Sequence, residues 1–236
     1  MEKFDVIKSN WLNVLNNVRI TAKTHQRDPD SIKIVAVSKS HPPEIIELAI
    51  KAGVNVFGEN YAQELKDKHQ YLIESGIKIP EWHFIGHLQS NKVKYIAPFV
   101  SMIHSVDSLS LAEEISKQAE KNNRIIDILL QVNTSGEYSK FGCQPEKLIE
   151  LFDSVARIKN LNVLGLMTIG TFSDNENIIR SEFKLLRELR DTINKTKGVN
   201  LSHLSMGMSH DYEIAIEEGA TIVRIGTAIF GERTYY

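Results

Sequence analysis

Ile32-Lys33-Ile34-Val35-Ala36-Val37-Ser38 is a short apolar run that ends on Lys39 and is followed by Pro42-Pro43-Glu44. Its hydrophobicity is nearly continuous, which suits a strand buried on both faces, as in a parallel sheet. Seven runs of the same kind follow it: Val54–Phe57, Trp82–Ile85, Met102–Val106, Ile128–Val132, Val163–Met167, His203–Ser205 and Ile222–Ile225. Helical stretches stand between them. Pro42-Pro43-Glu44 opens one that Gly53 closes, Ser108 begins another, and a short one runs from Asp211 to Glu218 before Gly219. Ahead of the first run, Ile7, Trp11, Val14 and Val18 recur at helical spacing and predict an amphipathic helix to about Lys23. Strands alternating with helices, without sequence repetition, are the mark of βαβ units. Eight such units close naturally, so the expected fold is a single (β/α)8 TIM barrel over residues 1–236 with an extra N-terminal helix. An open doubly wound sheet is the alternative, but no G-x-G-x-x-G turn follows the first strand.

Composition agrees with one domain: 236 residues, 42% hydrophobic and 25% charged, with a net charge of -2. That balance gives no general field for nucleic acid or an anionic membrane. Cys143 is the only cysteine, so neither an internal disulfide nor a cysteine-based metal cage is expected. The N-terminus lacks the apolar run of a signal peptide, and no stretch approaches the ~20 apolar residues of a membrane span. The expectation is a soluble, cytoplasmic protein, a monomer, with no bound metal.

Barrels place function at the carboxyl ends of their strands. If Lys39 points inward, so do Val37 and Val35, and an amine then stands at the mouth of an apolar barrel. Desolvation lowers a lysine pKa there, and a neutral amine is what Schiff-base chemistry needs. A lysine reaching out to solvent satisfies the same position. Ser205-Met206-Gly207-Met208-Ser209 and Arg224-Ile225-Gly226-Thr227 follow or end the seventh and eighth strands, where barrels commonly hold a phosphate. Glycines admit backbone N–H groups to an anion and hydroxyls add donors, although Ser209 equally suits a helix N-cap. Arg224 lies in the apolar run Ile222-Val223-Arg224-Ile225 and shares the inward face with Ile222, so its guanidinium needs a partner.

Six segments in order carry a resemblance. They are Val35-Ala36-Val37-Ser38-Lys39, Phe57-Gly58-Glu59-Asn60-Tyr61, Trp82–Lys92, Gly165-Leu166-Met167, Ser205–Ser209 and Arg224–Gly231. Together they resemble the pyridoxal 5'-phosphate (PLP) homeostasis protein family, whose barrel is similar to that of alanine racemase. The resemblance implies PLP held covalently on Lys39, with Arg224 beside the pyridine nitrogen. It implies a phosphate cradle at Ser205, Ser209, Gly226 and Thr227, and a cavity lined by Asn60, His83 and Met167. An arginine does not hand over its proton, so the ring would stay a weak electron sink. The implied function is PLP homeostasis or carriage with little catalysis of its own, and apo PLP-dependent enzymes as possible recipients. A PLP-dependent amino-acid racemase is the alternative reading. Against it, the sequence ends at Tyr236 with no further domain to bring a second, opposed base, and Tyr235 and Tyr236 are terminal. A phosphate-sugar barrel enzyme without PLP is a third. His210 stands where an acidic residue is expected, and Lys140, in the segment Asn133–Gly142, is read as an exposed loop lysine.

Overall fold

The computed structural model describes residues 2–232, so Tyr235 and Tyr236 lie outside the described residues. The strands are β1 (Lys33–Val37), β2 (Val56–Glu59), β3 (Glu81–Phe84), β4 (Met102–Val106), β5 (Ile126–Gln131), β6 (Leu161–Met167), β7 (His203–Ser205) and β8 (Ile222–Ile225). They form a closed barrel in the order β1 to β8, and β8 returns to β1 in parallel register from Lys33 opposite Ile222 to Ala36 opposite Ile225. Among the described residues the helices are α1 (Lys3–Thr24), α2 (Pro43–Lys51), α3 (Ala62–Glu74), α4 (Val93–Ile96), α5 (Leu109–Lys121), α6 (Leu148–Val155), α7 (Glu176–Lys197), α8 (Tyr212–Glu217) and α9 (Thr227–Phe230). The barrel expected from the eight runs is the fold observed.

Helix α1 is the additional helix. Ile7, Trp11, Val14, Val18 and Ala22 form its buried stripe, and it lies against α2, α8 and α9. Asn10 Nδ2 donates to the Ile229 carbonyl at 3.1 Å, and just past the helix Arg27 Nη1 donates to the Ile216 carbonyl at 2.7 Å. The helix therefore braces the place where β8 meets β1.

β4, β7 and β8 match the sequence expectation at both ends, and the other strand ends differ from it by at most two residues. Val54 belongs to the turn closing α2, where its N–H bonds the Ala49 carbonyl at 3.0 Å. Gly58 and Glu59, beyond the expected run, continue β2 opposite His83 and Phe84. A Cβ on Gly58 would stand 2.7 Å from Val35 Cγ1, so β1 and β2 can approach only because that side chain is absent.

Most of the core lies between barrel and helices. Inside the barrel a separate apolar cluster of Val35, Met102, Leu129, Met167 and Ile222 fills the axis. Buried polar groups stand among it, namely His83, His104, Ser205 and Arg224. Among the described residues no helix is long and apolar enough to cross a membrane.

Candidate functional site

A cavity of about 480 Å³ opens at the carboxyl end of the barrel. Six of the nine residues singled out in the sequence line it: Lys39, Asn60, Ser209, Arg224, Gly226 and Thr227. They come from the ends of β1, β2, β7 and β8, so closing the barrel brings distant segments together. Val37, Ile85, Ile169, Phe172 and Met208 supply apolar wall, and His210 stands at the rim.

Lys39 follows β1 between two anchored neighbours. Ser38 donates its backbone N–H to the Gly58 carbonyl at 3.1 Å and its hydroxyl to Glu59 Oε1 at 2.6 Å. The Ser38 carbonyl accepts from Lys68 Nζ at 2.8 Å, and Ser40 N–H donates to Glu64 Oε1 at 2.6 Å. Lys68 also meets Glu59 and Glu64, each at 2.6 Å. Burial pushes the Glu59 carboxyl up to about 7, against the opposing pull of Lys68. This clamp was not foreseen from the sequence. Its one local signal is the Glu64 and Lys68 pair, four residues apart on α3.

Arg224 is buried, and its guanidinium bridges two strands. Nη1 donates to Ser205 Oγ at 2.7 Å and Nη2 to the Thr168 carbonyl at 2.8 Å. Burial lowers it to about 10, which leaves it a cation at neutral pH. It therefore faces the cavity as a donor with a fixed plane.

On the β7 and β8 side, the backbone N–H groups of Gly226 and Ala228 converge on Ser209 Oγ, at 3.2 and 3.4 Å. The alternative role of Ser209 as a helix N-cap does not hold. Asp211 occupies the residue before α8, and its Oδ1 accepts from Met208 N–H. Gly207 has φ +92, and a Cβ there would meet Ala215 Cβ at 2.5 Å, so this turn demands glycine.

Three assigned residues are not in the wall. Ser205 is fully buried, with its hydroxyl between Arg224 and His104, behind the residues that line the cavity. His83 is buried within the barrel and bonded to His104 and Glu81. Met167 belongs to the apolar cluster on the barrel axis. Each lies on an inward-facing strand position one layer too deep, a distinction that alternation alone does not make.

The segment 133–142 is a turn organised by Asn133. Its Nδ2 donates to the Glu137 carbonyl at 2.9 Å and its Oδ1 accepts from Gly136 N–H at 3.2 Å. Lys140 ties this turn to the next loop through Glu137 at 2.7 Å and the Gly170 carbonyl at 3.2 Å, so it is a loop clamp with no place in the cavity wall. His210 is exposed and tilted against Phe172, with ring centres 4.8 Å apart. No sequence signal pointed to Ile169 or Phe172, because apolar loop residues carry no periodic pattern.

Residues 12–234 match the family described as alanine racemase, N-terminal domain. The pyridoxal phosphate homeostasis protein of Aquifex aeolicus (strain VF5) is 48% identical over 222 residues, covering 94% of this chain and 96% of the relative. That of Pseudomonas aeruginosa (strain PAO1) is 42% identical over 229 residues, covering 97% and 96%. The solved structure of PipY from Synechococcus elongatus PCC7942, with PLP bound, superposes with a TM-score of 0.83 at 31% identity. The match covers 95% of this chain and all of that one (100%).

Proposed function

Because this chain belongs to the pyridoxal phosphate homeostasis protein family, we propose that it binds PLP in the barrel-mouth cavity and acts in intracellular PLP homeostasis or carriage. One observation carries the reading. Lys39, the buried Arg224, and Ser209, Gly226 and Thr227 line a single cavity, which gathers an amine, a guanidinium and two hydroxyls in one place. The fit has independent support, since Asn60 Oδ1 is buried in that wall without a protein donor and is available to a ligand.

When bound, PLP supplies an aldehyde able to condense with the amine of Lys39. The clamp on Ser38 and Ser40 holds the chain on both sides of that amine. The hydroxyls of Ser209 and Thr227, and the N–H groups of Gly226 and Ala228 that here donate to Ser209 Oγ, would serve as donors to a phosphate. Arg224 would stand beside the pyridine nitrogen as a donor that keeps its own proton, which would limit the electron demand the site can exert. Little catalysis therefore belongs to this reading. So do a cytosolic setting, a monomeric chain acting as one PLP-holding domain over residues 1–236, and transfer to apo PLP-dependent enzymes.

The test is an absorption spectrum with PLP, followed by borohydride reduction and peptide mass spectrometry. The phosphopyridoxyl group should sit on the Lys39 peptide, and Lys39→Ala should lose both colour and label. Quantitative labelling of another lysine would reject the assignment. Turnover of amino acids near the ~10 per second of ordinary enzymes, abolished by Lys39→Ala, would reject the carrier reading.

A further inference from the structure

Behind Arg224 a line of hydrogen bonds runs along the barrel interior to its opposite end. Arg224 Nη1 donates to Ser205 Oγ at 2.7 Å, and Ser205 Oγ lies 2.9 Å from His104 Nδ1. His104 Nε2 lies 2.8 Å from His83 Nδ1, and His83 Nε2 lies 2.8 Å from Glu81 Oε1. Glu81 and Lys33 are the first residues of β3 and β1, and Lys33 Nζ closes the line on Glu81 Oε1 at 2.6 Å. The charged and titratable groups acting on the two imidazoles are Glu81, Lys33, Asp127, His203 and Arg224.

The two ends fix its direction. An arginine only donates and a carboxylate only accepts. Both histidines are buried and held neutral by desolvation, so each carries one proton. The arrangement that satisfies every contact has Ser205 donating to His104 Nδ1, His104 Nε2–H to His83 Nδ1, and His83 Nε2–H to Glu81. In the reverse arrangement a bare His83 Nε2 would face the carboxylate.

We propose that Glu81, at the amino-terminal end of the barrel, is a positioning residue for Arg224 at the other end, acting by fixing the tautomers of His83 and His104. With those tautomers fixed, the Ser205 proton is committed away from Arg224, its oxygen can accept Nη1, and the guanidinium plane is held between Ser205 and Thr168. The link to PLP rests on the reading that Arg224 meets the ring nitrogen; the tautomers do not.

Nuclear magnetic resonance of the full chain with 15N-labelled histidine tests it. The ligand-free protein should show His83 and His104 as neutral Nε2–H tautomers near pH 7. An Nδ1–H tautomer or an imidazolium at either position would overturn the proposal. Saturating PLP should shift both signals, and Ser205→Ala should silence the response at His83. An unchanged response in Ser205→Ala would equally overturn it. Glu81→Gln, whose amide oxygen still accepts, should keep PLP affinity within about threefold, whereas Glu81→Leu should weaken it about tenfold and scramble the tautomers. Wild-type affinity and tautomers in Glu81→Leu would overturn the proposal, and should that variant fail to fold, the wild-type and Ser205→Ala spectra decide. Absence of any PLP spectrum in the wild-type protein would instead remove the functional premise, leaving the ligand-free tautomers as the test of the relay.

Discussion

The place of Lys39 and Arg224 in the cavity wall was legible because each is a charge at the end of, or inside, an apolar strand, although position alone left Lys39 equally able to reach solvent. Ser209, Gly226 and Thr227 were legible from loop position. Ser205 lies deeper than its motif suggests, since its backbone is the last residue of β7 and its hydroxyl accepts from Arg224. The proposed cradle makes a prediction about vitamers. On the proposed reading, pyridoxal without its phosphate would forgo the charge-assisted bonds to the donors at Ser209, Gly226 and Ala228. Each such bond contributes ~1.5–3 kcal/mol, so pyridoxal should bind at least one to two decades more weakly than PLP in a spectroscopic titration. Equal affinities would remove these residues from phosphate recognition.

At the scale of elements, the strand and helix pattern was readable but the contact between β2 and α3 was not. Glu59 and Lys68 are nine residues apart, and only the turn into α3 brings them to 2.6 Å behind β1. Both are buried, so the pair's desolvation cost offsets much of its attraction, yet removing one partner strands the other. Lys68→Met should cost about 3–5 kcal/mol in urea denaturation at pH 8. The cost should shrink at pH 5, because Glu59 already sits near 7 with Lys68 opposing its rise, and without that cation it is neutral in the folded chain. A cost independent of pH would mean that the pair does not titrate as a unit. The same variant should loosen Ser38 and weaken PLP binding through Lys39.

For the whole molecule, acid stability follows from buried and half-buried titratable groups. His83 and His104 are depressed by burial, as are His69 and His203, from an ordinary value of 6.5. Below pH 6.5 the unfolded chain takes up protons that these imidazoles refuse, so each removes stability on acidification. The limiting slope is about 1.4 kcal/mol per pH unit per group. Glu59 and Asp211 are raised by burial, bind protons first in the folded chain and act in the opposite sense. With the depressed imidazoles in the majority, stability is expected to fall between pH 6.5 and 5. Glu59→Gln, by deleting one opposing group, should steepen that loss in urea titrations at pH 7 and 5.5. A wild-type stability that is flat or rises on acidification would contradict the assignment of neutral buried histidines.

The sequence by itself determined the eight strands, the outer helix and the residues at the strand ends, because strand burial and loop chemistry are written in local patterns of a few residues. Tertiary structure alone decided depth along the barrel axis. Whether an inward side chain meets the cavity, as Asn60 does, or another strand's side chain, as Ser205 and His83 do, depends on the stagger between strands far apart in the chain. The line from Arg224 to Glu81 joins β8, β7, β4 and β3, and no local pattern records it. It exists because closing the sheet confines their polar groups to a low-dielectric interior where each must find a partner.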